Sequence, residues 1–425
     1  MIFTMLKRLN IYYLFILTMF WLCNACVSTQ NISNNFMENN LNTIHPSYKI
    51  YHGNEVFSTV YYAFKSNELL YTRENKNSSF QSKIKVKYSV FEEGNKSAID
   101  TGSLLIIDEV NDVKNQNIIG RFEFNLPVQK KGYIKLETRD ENRGRSVKTF
   151  IHLDKLNDYN EQFFLVKDVS KNIVYDNYLS NEKELVIHSY FNTKKALFVI
   201  HNSTYFPLAS PPFSNPDKSS FNFKTSKAKL LSKNSDFSFT YNPPEFGLVH
   251  FQLDTTTKNG FTLFQFQEYF PNIKSADEMI HPVRFICTKE EFQKIRTNSD
   301  SKKAIDEFWL KKGNTSDISR DLIKKYYSRV EKANLYFTSH KEGWKTDRGM
   351  ISIIFGPPKL VRKTASSIVW SYGDENNMNS ITFTFNRMSN PFSTNDFQLD
   401  RSYNFKNPWY RAVDAWRNGK AYWIQ

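Results

Sequence analysis

The spacing of apolar residues changes once along this chain, near Ile273, and that change limits what the chain can fold into. Before it, apolar residues recur at every second position in short runs; after it, they recur at every third or fourth. Lys83-Ile84-Lys85-Val86-Lys87-Tyr88-Ser89-Val90 alternates almost without a break. That is a strand with one face in a core and the other in water. Similar runs at Val56–Phe64, Leu104–Ile107, Arg121–Leu126 and Tyr133–Thr138 are separated by breakers such as Glu93-Gly94-Asn95. Short strands at this spacing, without a helical stretch, predict an antiparallel β-sandwich over 47–160. Leu185–Phe191, Ala196–His201, Phe237–Tyr241, Leu248–Leu253 and Thr262–Gln267 repeat the style. They predict a second sandwich over 161–272. The 37 Phe and 23 Tyr suit strands, and 14 Gly with 14 Pro is too few for a low-complexity chain.

From 273 to 425 the pattern is α+β. Thr288-Lys289-Glu290-Glu291 is a capping box, with Cys287 and Phe292 placed as a hydrophobic staple, which gives Cys287 a structural role. Ala304, Ile305, Phe308 and Trp309 form one helical face that Gly313 ends. Ile318, Leu322, Ile323, Tyr326, Val330, Ala333 and Phe337 mark a long amphipathic helix. Met350–Phe355, Ser367–Tyr372 and Ser380–Asn386 read as strands. Asn407-Pro408 opens a last helix, with Asn as cap, and Gly419 closes it. Apart from Trp21, every Trp lies between Trp309 and Trp423. The expected architecture is therefore multidomain: two all-β sandwiches followed by an α+β domain.

The N-terminus reads as an address. Lys7 and Arg8 precede Ile11–Leu22, a run whose one polar residue is Thr18. It is a secretory signal rather than a membrane span, being too short to cross. Ala25-Cys26 resembles the cleavage box of bacterial lipoproteins, in which a small residue precedes the acylated Cys. Leu22 before Cys23 does not fit, so Cys26 is the expected lipidation site. Residues 1–25 are then signal, and 26–46, rich in Asn and Ser, are a tether. The resemblance is to Bacteroidetes-like lipoproteins. Among these an acidic run after the Cys marks surface export, so its absence here implies an outer-membrane protein facing the periplasm.

Gly343-Trp344-Lys345-Thr346-Asp347-Arg348-Gly349 follows the long helix, and Gly356-Pro357-Pro358 follows the apolar run after it. Upstream stand Phe308-Trp309, Tyr326-Tyr327-Ser328-Arg329-Val330 and Ala333-Asn334. Together these resemble the GWxTD domain, a bacterial module named for its pentapeptide, over roughly 280–385. The resemblance implies a fold module with no established enzymatic activity. The candidate binding residues are Gly343, Trp344, Thr346, Asp347, Arg348, Gly349, Gly356 and Pro357. Read structurally, the glycines permit unusual backbone, Trp344 anchors a core, Thr346 or Asp347 caps a turn, and Arg348 pairs with Asp347 or Glu331. Read functionally, Asp347 and Arg348 face a ligand, with Arg gripping an anion.

Chemistry-bearing patterns are otherwise missing. The sequence has no phosphate loop, nucleophile elbow or H-E-x-x-H, and its eight His are scattered singly. No metal and no cofactor are expected. The net charge is +14, of which residues 274–425 carry 26 − 17 = +9, yet no dense Lys/Arg run occurs. That argues against nucleic acid as a partner. The expected function is a non-enzymatic envelope lipoprotein. Its sandwiches serve as spacers or docking surfaces for an envelope protein, as in an accessory subunit of an outer-membrane secretion or assembly complex. The alternative is an enzyme or binder of an anionic envelope glycan, acting through a cleft near Asp347 and Arg348. A deep polar cleft at the motif favours the glycan, and a flat aromatic patch there favours docking.

Overall fold

A computed structural model describes residues 44–423, apart from 158, 180–181, 191–195, 216–227, 258, 365, 375–379 and 391. The expected signal, Cys26 and the tether as far as residue 43 lie outside the described residues. No helix among the described residues is long and apolar enough to cross a membrane.

Seven strands form the first β region: β1 (Ser47–Tyr51), β2 (Phe57–Lys65), β3 (Phe80–Glu92), β4 (Ala98–Val110), β5 (Asn117–Asn125), β6 (Lys131–Asp140) and β7 (Arg145–Asp154). They pair antiparallel into two sheets, ordered β1-β2-β5 and β4-β3-β6-β7. The alternation in β3 has the expected result. Ile84, Val86 and Val90 are sealed between the sheets with Val60, Phe64 and Leu136, while Lys83 and Lys87 face water. Burying each such aliphatic side chain contributes about 1.5–3 kcal/mol. Lys155 sits at the end of this core, 2% exposed, and its ammonium donates to the carbonyls of Asn54, Glu55, Phe57 and Leu126. Burial pushes its pKa down to about 8.

The second β region holds β8 (Phe164–Asp168), β9 (Tyr178–Leu179), β10 (Leu185–Ser189), β11 (Phe198–Asn202), β12 (Lys229–Leu230), β13 (Phe239–Tyr241), β14 (Gly247–Gln252) and β15 (Phe261–Gln265). Its sheets are ordered β13-β10-β8 and β12-β11-β14-β15-β9. The β14–β15 hairpin is buried on both faces. Val249, Phe251, Phe261 and Leu263 enter the core of this region, while Leu248 and Phe264 pack with Phe266, Phe270 and Phe392 on the other side. Phe392 belongs to the C-terminal module, so the hairpin is a shared wall.

That module contains α1 (Ala276–Ile280), α2 (Lys289–Arg296), α3 (Ser301–Gly313), α4 (Ser316–Phe337), α5 (Asp347–Phe355) and α6 (Lys406–Arg417). An antiparallel sheet joins them, with β16 (Leu360–Lys363), β17 (Ser367–Tyr372), β18 (Ile381–Arg387) and β19 (Phe397–Leu399) in sequence order. The capping box at Thr288 forms as expected. Three local expectations need correction. Met350–Phe355 is not a strand but most of α5, and all nine residues of that helix are buried. A helix apolar on every side carries no period to reveal it. Asn314, at φ 59°, and not Gly313 takes the left-handed position after α3. The last helix starts at Lys406 with Phe405 as its cap residue, so Asn407 and Pro408 lie inside its first turn.

A strap from the second β region crosses the module. Ala209 is buried in the module's core, its N–H donates to the Lys345 carbonyl at 2.9 Å, and the Ser402 N–H donates to the Pro212 carbonyl at 3.2 Å.

Candidate binding cleft at the motif

The end of α4 sets the motif in place. Asn334 Oδ1 accepts the Trp344 N–H at 3.1 Å, and its Nδ2 donates to the Pro271 carbonyl at 3.0 Å. Thr338 Oγ1 accepts the Gly343 N–H at 3.0 Å. Gly343-Trp344-Lys345 then makes one 3-10 turn, and Thr346 caps α5. The Thr346 Oγ1 accepts the Gly349 N–H at 3.0 Å and donates to the Gly343 carbonyl at 2.7 Å. Trp344 is 3% exposed and meets Phe285 edge-on, in the core.

The motif glycines do not serve the purpose expected of them. Neither Gly343 nor Gly349 has positive φ. Each allows backbones to touch: a Cβ at 343 would stand 1.9 Å from the Ala333 carbonyl oxygen, and one at 349 would stand 1.9 Å from that of Gly343. Gly356 is the conformational glycine, ending α5 at φ 82°. Half-buried Pro357 follows, where the chain has left the helix. The carbonyls left open at the end of α5 are met by Arg329 of α4, whose Nη1 donates to Ile353 at 2.9 Å and Ile354 at 3.3 Å.

Asp347 and Arg348 part company. Asp347, buried at the start of α5, accepts Arg401 Nη2 at 2.6 Å and Nη1 at 3.1 Å, and also the Leu399 N–H at 2.7 Å. Arg401 Nη2 reaches the Ser210 carbonyl in the strap at 3.1 Å. The expected pairing of Arg348 with Asp347 or Glu331 is replaced. Glu331 accepts the Ile273 N–H at 3.0 Å, and Arg348 turns the other way. Its guanidinium lies 4.4 Å from the Phe397 ring centroid and 5.1 Å from that of Phe337. Its Nη2 donates to Asn395 O at 2.9 Å and Oδ1 at 2.6 Å. The Asn395 Nδ2 is bound to the carbonyls of Tyr336 and Thr338, which orients the amide oxygen toward Arg348. The Arg348 Nε–H is buried and has no hydrogen-bond partner among the described residues.

Arg348 lies on the wall of a cleft of about 820 Å³ where all three regions meet. Phe150 and His152 of β7 and Thr262 of β15 bound one side, and Arg348, Lys363 and Arg387 the other. Burial holds Arg348 down to about 9, with Asp396 opposing that shift and Arg387 adding to it. Burial, then Arg348 and Arg387, lower the Lys363 ammonium as well. Buried Arg348, half-buried Lys363 and exposed Arg387 together make a basic wall that gains from an anion. On the facing side Asp154 is engaged, holding Lys131 at 3.3 Å and accepting the N–H groups of Leu156 and Asn157.

Residues 247–418 match the family model of the GWxTD domain. The chain carries a GWxTD domain. The match begins at Gly247, the first residue of β14, so it takes in the shared hairpin as well as the helices and the last sheet. No curated protein matches the chain. Within the GWxTD domain the sequence pointed to Asp347 and Arg348 but not to what they touch. Arg401 and Asn395 lie far downstream, with no spacing rule to join them to the motif. Lys363 and Arg387 are ordinary strand residues until the sheet is assembled. Among the described residues no group of three His, Cys, Asp or Glu is placed to hold a metal ion. Burial pushes the Cys287 thiol up to about 12, which keeps it protonated at neutral pH.

Proposed function

We propose that this chain is a non-enzymatic cell-envelope lipoprotein whose GWxTD domain binds an anionic glycan in the cleft beside Arg348. The observation that carries the reading is the cluster of three cations, Arg348, Lys363 and Arg387, lining one cleft. A carboxylate or phosphate oxygen bound there would gain charge-assisted hydrogen bonds, which are roughly twice as strong as neutral ones. Amides and hydroxyls in the same cleft, among them Asn177, Thr262 and Asn390, suit the hydroxyls of a sugar. Binding is favoured over hydrolysis because Asp154 is tied to Lys131 and to backbone donors, which leaves Glu161 of the cleft lining without the second free carboxylate that glycoside hydrolysis needs.

The anchor in this reading is a lipid on Cys26, which holds the protein to the outer membrane on its periplasmic side. Cys26→Ala then leaves an unprocessed precursor or releases the protein from membranes; normal processing and fractionation would exclude the anchor. For the cleft, calorimetric titration of the full chain with a galacturonate trimer tests the reading. Lys363→Gln and Arg348→Gln each weaken binding by about tenfold, and binding that ignores both substitutions refutes it. A protein partner, such as a secretion or assembly complex, is the second reading. It draws on Leu105 and Ile107, 57% and 53% exposed on the outer face of the first sandwich. Crosslinking at Leu105 in native membranes tests it.

A further inference from the structure

We infer that the ligand of this cleft is a polymer, and that it leaves the cleft along an aromatic ladder on the first sandwich. The inference rests on the anionic-glycan reading above and extends it to chain length and path. The ladder is formed by Phe91 of β3, Tyr133 of β6 and Phe150 of β7. Register puts Phe91 opposite Tyr133 and Lys135 opposite Phe150, so the three rings step across neighbouring strands on the outer face. The Phe91 and Tyr133 rings stack with centroids 4.9 Å apart at 16°, and Tyr133 to Phe150 is 6.2 Å. Tyr133 is 39% and Phe150 47% exposed. Two exposed rings and the half-buried Phe91 beside them leave apolar surface on one sheet face that a partner surface would cover.

Two observations identify the occupant. The first is continuity: Phe150 ends the ladder and also lines the cleft opposite Arg348. The second is charge. Lys87, Lys135 and Lys148 stand on the same outer face in the rows beside the rings, with Glu137 between them. A saccharide has an apolar C–H face to lay on an aromatic ring and hydroxyls at its edge. A charged saccharide adds carboxylates for the flanking ammonium groups. Ladder and cleft together then read successive units of one anionic polysaccharide, the ladder by stacking and the cleft by its buried guanidinium.

The test titrates the full chain with galacturonate trimer and dodecamer, and with oligo(dT) as a polyanion of different chemistry. The dodecamer is expected to bind about tenfold tighter than the trimer, the order of gain that one stacked ring supplies. Tyr133→Ala removes that gain and leaves trimer affinity unchanged, which also shows that the variant is folded. Lys363→Gln weakens both oligomers. Equal affinity for trimer and dodecamer overturns the ladder and keeps the cleft. No trimer binding, with a dodecamer still dependent on Tyr133, overturns the cleft and keeps the ladder. Oligo(dT) binding that matches the dodecamer and is lost in Tyr133→Ala overturns the glycan in favour of nucleic acid. Dimerisation of the free chain that Tyr133→Ala abolishes, without any glycan binding, overturns it in favour of a second copy.

Discussion

Asp347→Asn separates a carboxylate that merely caps a turn from one that neutralises a buried cation. A cap would lose about 1 kcal/mol, since the amide keeps an oxygen to accept with. The geometry here sets a larger loss. Asp347 and Arg401 side chains are 9% and 8% exposed and share two contacts, at 2.6 and 3.1 Å. In the amide variant one side-chain oxygen has to serve both the Leu399 N–H and the guanidinium, and the new NH₂ faces a donor. Removing one member of a buried pair leaves the other charge uncompensated, at roughly 3–5 kcal/mol. Partial solvent access and the surviving oxygen place Asp347→Asn near the lower end, about 3 kcal/mol, and Arg401→Met at least as high. The double variant leaves neither charge buried, so its cost falls short of the sum by about 2 kcal/mol or more. Urea unfolding followed by Trp emission reads this domain directly, because all Trp residues of 44–423 lie within 309–423. Single variants that each lose under about 1 kcal/mol and add without coupling would refute the argument.

Gly349→Ala should destabilise by about 1–3 kcal/mol or more in urea unfolding, although Gly→Ala inside a helix normally stabilises by about 1 kcal/mol, because the added Cβ meets the Gly343 carbonyl; a stabilised variant would show that the close approach relaxes. His52, fully buried between Ser58 and Gln162, is held down to about 3 by burial with Lys155 adding to it. The unfolded chain takes up that proton below its ordinary 6.5, so stability declines as pH falls from there toward 3, by about 2 kcal/mol between pH 7 and 5; circular-dichroism unfolding at the two pH values checks it, and His52→Gln should flatten the difference.

The β regions were legible because a half-buried strand writes its own period into the sequence. β3 reads off Ile84, Val86 and Val90 against Lys83, Lys85 and Lys87. β1 and β7 carry little of that signal: β1 is five residues long, and β7 has one fully buried side chain, Leu153. The C-terminal helices α2, α3 and α4 were legible through caps and stripes. α5 was not: Met-Ile-Ser-Ile-Ile-Phe has no polar face, and a short apolar run reads equally as a strand. Its ends did carry the signal, since Thr346 precedes a turn and Gly356-Pro357 is a helix stop. The cleft was half legible. Arg348 belongs to a recognisable motif, whereas Asn395, Lys363 and Arg387 reach it only through strand pairing that no local pattern encodes.

The junction that forms the cleft also decides what can be cut away. A fragment starting at Ile273 keeps all six helices and the last sheet. It loses Ala209 from its core, the Ser210 carbonyl from Arg401, the Pro271 carbonyl from Asn334 and the Phe266 and Phe270 rings beside Phe392. Each lost apolar side chain removes about 1.5–3 kcal/mol of burial, against a total of about 5–15 kcal/mol for a domain. A fragment starting at Gly247, where the family match begins, recovers the phenylalanines but opens the other face of the hairpin, with Val249, Phe251, Phe261 and Leu263. A fragment of 161–425 restores both faces and the strap. Urea midpoints by Trp emission should therefore rise from the fragment at 273 to that at 161, the former also binding a hydrophobic dye. Equal midpoints for the two would mean that the hairpin and strap lie on the domain without supporting it. The cleft, built on that junction, would then be free to open and close, and Arg348 would not be held in place by the regions that face it.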